Sequence, residues 1–243
     1  MGQVPTFGRL RALYGRFPVG ASMPIITPGL LSRLPPPVLP KEIATVPHGE
    51  DWIYEFLWGG ERVRAIKGDV GVWLMTRDGR NLSNRFPAVA AAVAKLRPAS
   101  AVIDGEILLL DRCSPLALRF LSELCDDQSD VKVVLIAYDV LERSGEDLRH
   151  FPLLGRRLLL ASLVQGTPIV LSPFYKGDSR AALREAAKLG VAGVVAKRAG
   201  STYQPSALLH RWVKVTLPVA KRADAGINSL SEASTPTRPR TTR

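Results

Sequence analysis

Few residues in this sequence have the type and spacing for chemistry of their own. Cys113 and Cys125 lie twelve positions apart, which matches neither a CxxC redox pair nor a zinc-ligand pattern. His48, His150 and His210 are isolated from one another and from cysteine, so surface or packing roles fit them better than metal ligation. No P-loop and no GxGxxG run occurs. What remains is a series of short segments: YEFLWGGER (54–62), DGE (104–106), AYDVL (137–141), GVVAK (193–197) and RWVKV (211–215). Between them they supply carboxylates, aromatic rings and cations. Aromatic faces stack on planar partners, and lysine and arginine meet anionic ones.

Short strands and a few helices must position these segments. Trp52–Leu57, Arg62–Lys67 and Val70–Thr76 are rich in β-branched and aromatic residues, and Gly68-Asp69 signals a hairpin between the second and third. Val102–Ile103 and Ile107–Leu110 flank Asp104-Gly105, read as a tight turn, and Val131–Leu141 has the unbroken apolar character of a buried central strand. Further strands are expected at Ile169–Phe174, Val191–Ala196 and Arg211–Val215. Helices are expected at Phe86–Leu96, Pro115–Leu124, Pro152–Val164 and Ser179–Leu189, the last stopped by Gly190. Neighbouring strands mixed with scattered helices predict an α+β fold with largely antiparallel sheets.

At 243 residues and 46% hydrophobic content the chain can bury a sizeable core. No apolar stretch approaches the roughly 20 residues of a membrane span, and with so few cysteines a reducing, cytoplasmic setting is the simplest expectation. Net charge is +11. Residues 1–40 hold four arginines and no acid, and residues 218–243 hold five basic groups against Asp224 and Glu232. More than half of the excess therefore lies at the ends. The prolines at 35–37 and 40 place the start of the folded part near residue 45, giving a flexible basic leader over 1–44, a folded domain over 45–217 and a disordered basic tail over 218–243. Basic ends of this kind add salt-sensitive affinity for phosphates, which allows nucleic-acid contact without pointing to a shaped DNA groove.

Taken in order and with TRDGRNLSNRFP (76–87), the segments resemble the nucleotidyltransferase (adenylation) domain of ATP-dependent DNA ligases, especially the bacterial repair type associated with end joining. The resemblance covers roughly residues 50–217. It implies an ATP-grasp-like α+β domain with flanking helices, ATP and Mg²⁺ as cofactors, DNA as partner with a repair protein as a further one, and a role in repair or recombination. By resemblance Glu55 faces the adenine amino group, Tyr138 stacks on the base, and Glu106 reaches the ribose or a metal. Arg62, Arg77, Lys197 and Lys214 lie toward the sugar and phosphates. Plainer readings stay open for the same residues. Tyr138 fits a core aromatic, Glu106 an exposed turn carboxylate, and Lys197, Arg198 and Lys214 solvated charges; Arg62 fits a cross-hairpin pair with Glu61 or Glu55. Trp52, Trp58, Trp73 and Trp212 all fit packing roles.

The departures from the family pattern are as informative as the matches. In the family the first motif reads KxDGxR, and its lysine attacks the α-phosphate of ATP to give a lysyl-AMP phosphoramidate. Here Leu57 takes the lysine's place and Gly59 the aspartate's, while Gly60 and Arg62 match. Lys67, the next lysine, lies five residues beyond Arg62 and too far along a strand to replace it. Ala192 replaces a metal-holding glutamate before GVVAK, and Thr216 replaces a phosphate-facing lysine. The expected OB-fold that follows this domain in the family is not evident after Pro218. The expectation is a ligase-like protein with no catalytic nucleophile, retaining at most adenine-nucleotide or DNA binding. An active ligase with divergent motifs or a complementing partner, and a non-catalytic DNA or repair-protein scaffold, are the alternatives.

Overall fold

The computed structural model describes residues 36–111, 131–204 and 211–218. The helix expected at Pro115–Leu124, both cysteines, His210 and most of the expected leader and tail lie outside the described residues.

Two sheets form the described part. One has the order β1 (Lys41–Glu42), β11 (Trp212–Thr216), β10 (Gly193–Arg198), β2 (Gly49–Leu57), β9 (Phe174–Gly177). The other runs β4 (Gly71–Thr76), β3 (Glu61–Gly68), β5 (Ala101–Asp111), β6 (Val131–Arg143), β7 (Glu146–Asp147), with β8 (Val170–Leu171) beside β6. Only the β1–β11 and β6–β8 pairs are parallel. The helices among the described residues are α1 (Pro87–Ala94), α2 (Leu153–Val164) and α3 (Ser179–Leu189). The α+β class with largely antiparallel sheets is therefore present.

Local chemistry accounts for the element ends. The β3–β4 hairpin closes with Gly68 opposite Gly71, a two-residue loop of the kind that glycine and aspartate favour. Helix α3 begins where the Asp178 carboxylate accepts from Ala181 N–H at 2.8 Å, and ends on Gly190 in the left-handed region at φ 66°. Apart from the exposed Ser162, helix α2 is apolar except for two adjacent arginines, Arg156 and Arg157, and both are buried.

Three expectations change. The fold begins before residue 45: β1 pairs with β11, and Val38 is buried. Asp104-Gly105 is no turn, because β5 runs unbroken through it, with register shifts against β6 at Val102/Ile103 and Asp104/Gly105. A bulge keeps a strand going where a Gly-containing pair reads as a reversal. The expected strand at Ile169–Phe174 is divided between β8 and β9.

The core has three parts. Val63, Leu74, Val93, Ile103 and Leu160 pack the six-stranded sheet under α1 and α2. Tyr54, Phe56, Val194 and Val213 pack the other sheet against α3 and against Leu108 and Ile136 of the second sheet. Ile53, Ile66, Tyr138, Leu153, Tyr203 and Trp212 join the two sheets beside the cleft described next.

Candidate functional site

Between the sheets lies a cleft of about 150 Å³ whose lining includes Glu55, Leu57, Arg62, Glu106, Tyr138, Lys197, Trp212 and Lys214. Six of the seven residues expected to hold a nucleotide are thus brought together from β2, β3, β5, β6, β10 and β11. Arg77 is not among them; it is exposed in the turn after β4 and does not line the cleft. Its segment matches a motif in sequence, but the hairpin carries the side chain away from the other groups.

At one end of the cleft sits a buried electrostatic cluster. Glu55 accepts from Arg157 Nη1 at 2.8 Å through Oε1 and from Lys197 Nζ at 3.0 Å through Oε2. The Lys197 ammonium lies 4.3 Å from the Tyr138 ring centroid and 4.1 Å from that of Trp212. Burial holds its pKa below the ordinary lysine value, opposed by Glu55 and reinforced by Arg157. Lys197 is therefore no solvated relic; it is 3% exposed. Tyr138 serves both readings, being buried in the core and flanked by two cations, with Arg62 5.7 Å from its centroid.

Arg62 pairs neither with Glu61 nor with Glu55. Its guanidinium forks onto Asp104 at 3.1 and 2.7 Å and donates a third bond to Val38 O at 2.7 Å. Tyr203 Oη donates to the same Asp104 at 2.6 Å and accepts from Val38 N–H at 3.2 Å. Burial disfavours the Asp104 charge, but the Arg62 guanidinium and these bonds hold its carboxyl below the usual range. Lys214 is 3.5 Å from the exposed Glu42, which also accepts from Thr216 Oγ1 at 2.9 Å.

Glu106 accepts from Gly60 N–H at 3.1 Å. Gly60 is required there, since a Cβ would fall 2.5 Å from Ile107 O on β5. Burial pushes the Glu106 carboxyl up to about 7 despite the Gly60 bond and the nearby cations. A carboxyl whose folded pKa lies above its unfolded value binds protons more tightly when folded, so its contribution to stability falls as pH rises from about 4.5 to 7. Denaturant unfolding of the wild type and Glu106→Gln at pH 5 and pH 8 will show it. Relative to the variant, the wild type should lose about 1–2 kcal/mol, the full shift being discounted for partial exposure. Parallel pH dependence in both proteins would refute the assignment.

The four departures from the family pattern share one spot. Ala192 N–H donates to Leu57 O at 2.9 Å. A Cβ at Gly59 would lie 3.6 Å from Ala192 Cβ. Gly193 is the cross-strand partner of both Leu57 and Thr216. Leu57, Gly59, Ala192 and Thr216 thus lie on neighbouring backbone around Gly193, and of the four only Leu57 lines the cleft. Lys67 does not reach it; its Nζ donates to Leu96 O at 2.5 Å. Among the described residues no group of three or more His, Cys, Asp or Glu side chains is gathered as a metal site.

Sequence reasoning missed Arg157, Asp104 and Tyr203. For Arg157 a signal existed: charges inside an otherwise apolar helix must find partners in the core.

The arrangement has known counterparts. The family model of the ATP dependent DNA ligase domain matches residues 38–216. The multifunctional non-homologous end joining protein LigD of Pseudomonas aeruginosa is 32% identical over 182 residues, 74% of this chain and 21% of that protein. The LigD of Mycobacterium tuberculosis is 31% identical over 163 residues, 67% of this chain and 21% of its own length. A solved mycobacterial DNA ligase D complexed with ATP and MES superposes with a TM-score of 0.55 at 29% identity, covering 73% of this chain and 60% of that one. The chain belongs to the ATP-dependent DNA ligase family as a nucleotidyltransferase domain. Within that family its similarity is to the LigD end-joining type, and it spans roughly a fifth of the length of those relatives.

Proposed function

We propose that this chain is a ligase-type nucleotidyltransferase domain of DNA end-joining repair that has given up lysyl-AMP formation and keeps an adenine-nucleotide cleft. The observation that carries this reading is the separation of two groups of residues. Glu55, Tyr138, Lys197 and Arg62 line one cleft and are tied into buried networks, whereas Leu57, Gly59, Ala192 and Thr216 gather on neighbouring backbone around Gly193. Leucine has no nucleophilic atom, and the uncharged side chains around it remove the charges that would steady a triphosphate and its metal.

Adenine nucleotide would lie with its base toward Glu55, Lys197 and Tyr138 and its phosphates toward Arg62 and Lys214. Mg²⁺ fits poorly. Glu106 offers one carboxylate, which burial pushes up to about 7, and Ala192 offers none. A bound magnesium ion would depend on the nucleotide's own phosphates for most of its shell. We assign DNA as the macromolecular partner, reached in the cytoplasm through the basic ends and recognised through phosphates.

The test is incubation of the pure protein with α-labelled ATP and Mg²⁺ or Mn²⁺, with equilibrium binding of ATP measured in parallel. The expected result is reversible binding and no covalent label. An acid-labile AMP adduct on the natural chain would overturn the loss of chemistry, and absence of any ATP binding would overturn the retained site. Binding to a nicked duplex should weaken steeply with salt and flatten when residues 1–35 and 219–243 are removed.

A further inference from the structure

We infer that Arg157 is a positioning residue for the cleft: it fixes the Glu55 carboxylate and shares its charge with Lys197, setting the preference for a 6-amino purine. This rests on the reading of the cleft as an adenine-nucleotide site.

The geometry is specific. Arg157 projects from the middle of α2, is 2% exposed, and spans both sheets. Its Nη1 donates to Glu55 Oε1 at 2.8 Å on β2 and to Tyr138 O at 2.9 Å on β6. Its Nη2 donates to Ser172 O between β8 and β9. The guanidinium stands 5.0 Å from the Phe174 ring centroid. Its Nε is buried without a hydrogen-bond partner, so the side chain is not placed to satisfy all its own donors, and its Nη1 bonds both go to residues that line the cleft, Glu55 and Tyr138. Neighbouring Arg156 pairs with Asp139 at 2.7 Å through both fork nitrogens, a self-contained bridge. Arg157 has no carboxylate to itself; it shares Glu55 with Lys197.

Each Glu55 oxygen carries one of these bonds, and a carboxylate has capacity for about four. The two cations hold the Glu55 carboxylate in place with acceptor capacity to spare, and Glu55 lines the cleft. A carboxylate oxygen without a proton to donate favours the amino group at purine position 6 and disfavours the keto oxygen of hypoxanthine. Arg157 touches no nucleotide in this scheme and acts only through Glu55.

The charge balance makes the inference testable. Removing Arg157 leaves Glu55 and Lys197 as a one-to-one pair, so Arg157→Met strands no charge. Arg157→Lys keeps the charge but cannot reproduce the fork. ATP and ITP binding should be measured on the wild type, on both variants, and on Leu160→Ala, which loosens the buried face of the same helix away from the cleft. The wild type and Leu160→Ala should prefer ATP. Both Arg157 variants should lose about tenfold of that preference, the order expected for a misaligned bond to a charged group. A folded Arg157 variant with wild-type preference overturns the inference. A second readout is the Lys197 ammonium followed by NMR in Arg157→Met without nucleotide. Its titration midpoint should rise as the neighbouring cation leaves. If the wild type binds neither nucleotide, the cleft reading fails by itself. An unmoved Lys197 midpoint then overturns the positioning role as well, and a raised one upholds it for Glu55.

Discussion

Returning lysine to position 57 alone should leave the protein almost unlabelled by α-labelled ATP. Restoring Leu57→Lys, Gly59→Asp, Ala192→Glu and Thr216→Lys together should produce at least about a thousandfold more covalent AMP, since each preorganised charged group in such a site contributes on the order of 10²–10³ in rate. The reason is the shared location. The backbone bond from Ala192 to Leu57, the 3.6 Å approach of Gly59 to Ala192, and the pairing of Gly193 with both Leu57 and Thr216 put all four side chains in one neighbourhood. The four family residues carry charges that cancel in sum, and their replacements carry none. A lone lysine meets a triphosphate without the carboxylate that helps hold metal and without the second cation, so its amine lacks the environment that activates it. Gel autoradiography of the two variants decides the matter. Equal labelling of single and quadruple variants would show that the nucleophile was the sole loss.

Glu55→Gln should be among the most destabilising single changes in the domain, at about 3–5 kcal/mol. Arg157 and Lys197 would then both be buried cations with no counter-charge. For a domain of this size that corresponds to a fall of roughly 10 °C or more in Tm. Arg157→Met should cost clearly less, since a neutral Glu55–Lys197 pair remains. Urea unfolding of both variants reads the order directly. A Glu55→Gln loss below about 1 kcal/mol would mean that solvent reaches the cluster and that its burial has been overstated.

Much of this was legible in the sequence because it rests on local pattern. The β3–β4 hairpin, α3 with its Gly190 stop, and the central strand from Val131 all follow from turn residues and apolar spacing. Glu55, Arg62, Glu106, Tyr138, Lys197 and Lys214 were brought to one cleft as the motif order implied. Features that depend on distant partners were not legible. Asp104-Gly105 reads as a turn unless β3 and β6 are known to pair on either side of it. Arg62 has acids closer in sequence than Asp104, but the β3–β5 register sets Arg62 opposite Glu106 with Asp104 within reach. Arg77 is exposed and outside the cleft lining, since a good local match says nothing about which way a surface turn points its side chain.

Residues 38–42 look dispensable by composition, a proline-rich approach to the first long strand. In the folded protein they are mortar. Val38 is held by Arg62 and Tyr203 through its carbonyl and its N–H, Pro40 lines the cleft, and Glu42 meets Lys214 and Thr216. A protein trimmed at residue 45 would lose a wall of its own pocket, one of the three Arg62 bonds and the acidic partner of Lys214. Such a fragment would misreport what the intact chain can hold, and the natural cut for biochemical work lies upstream of residue 36.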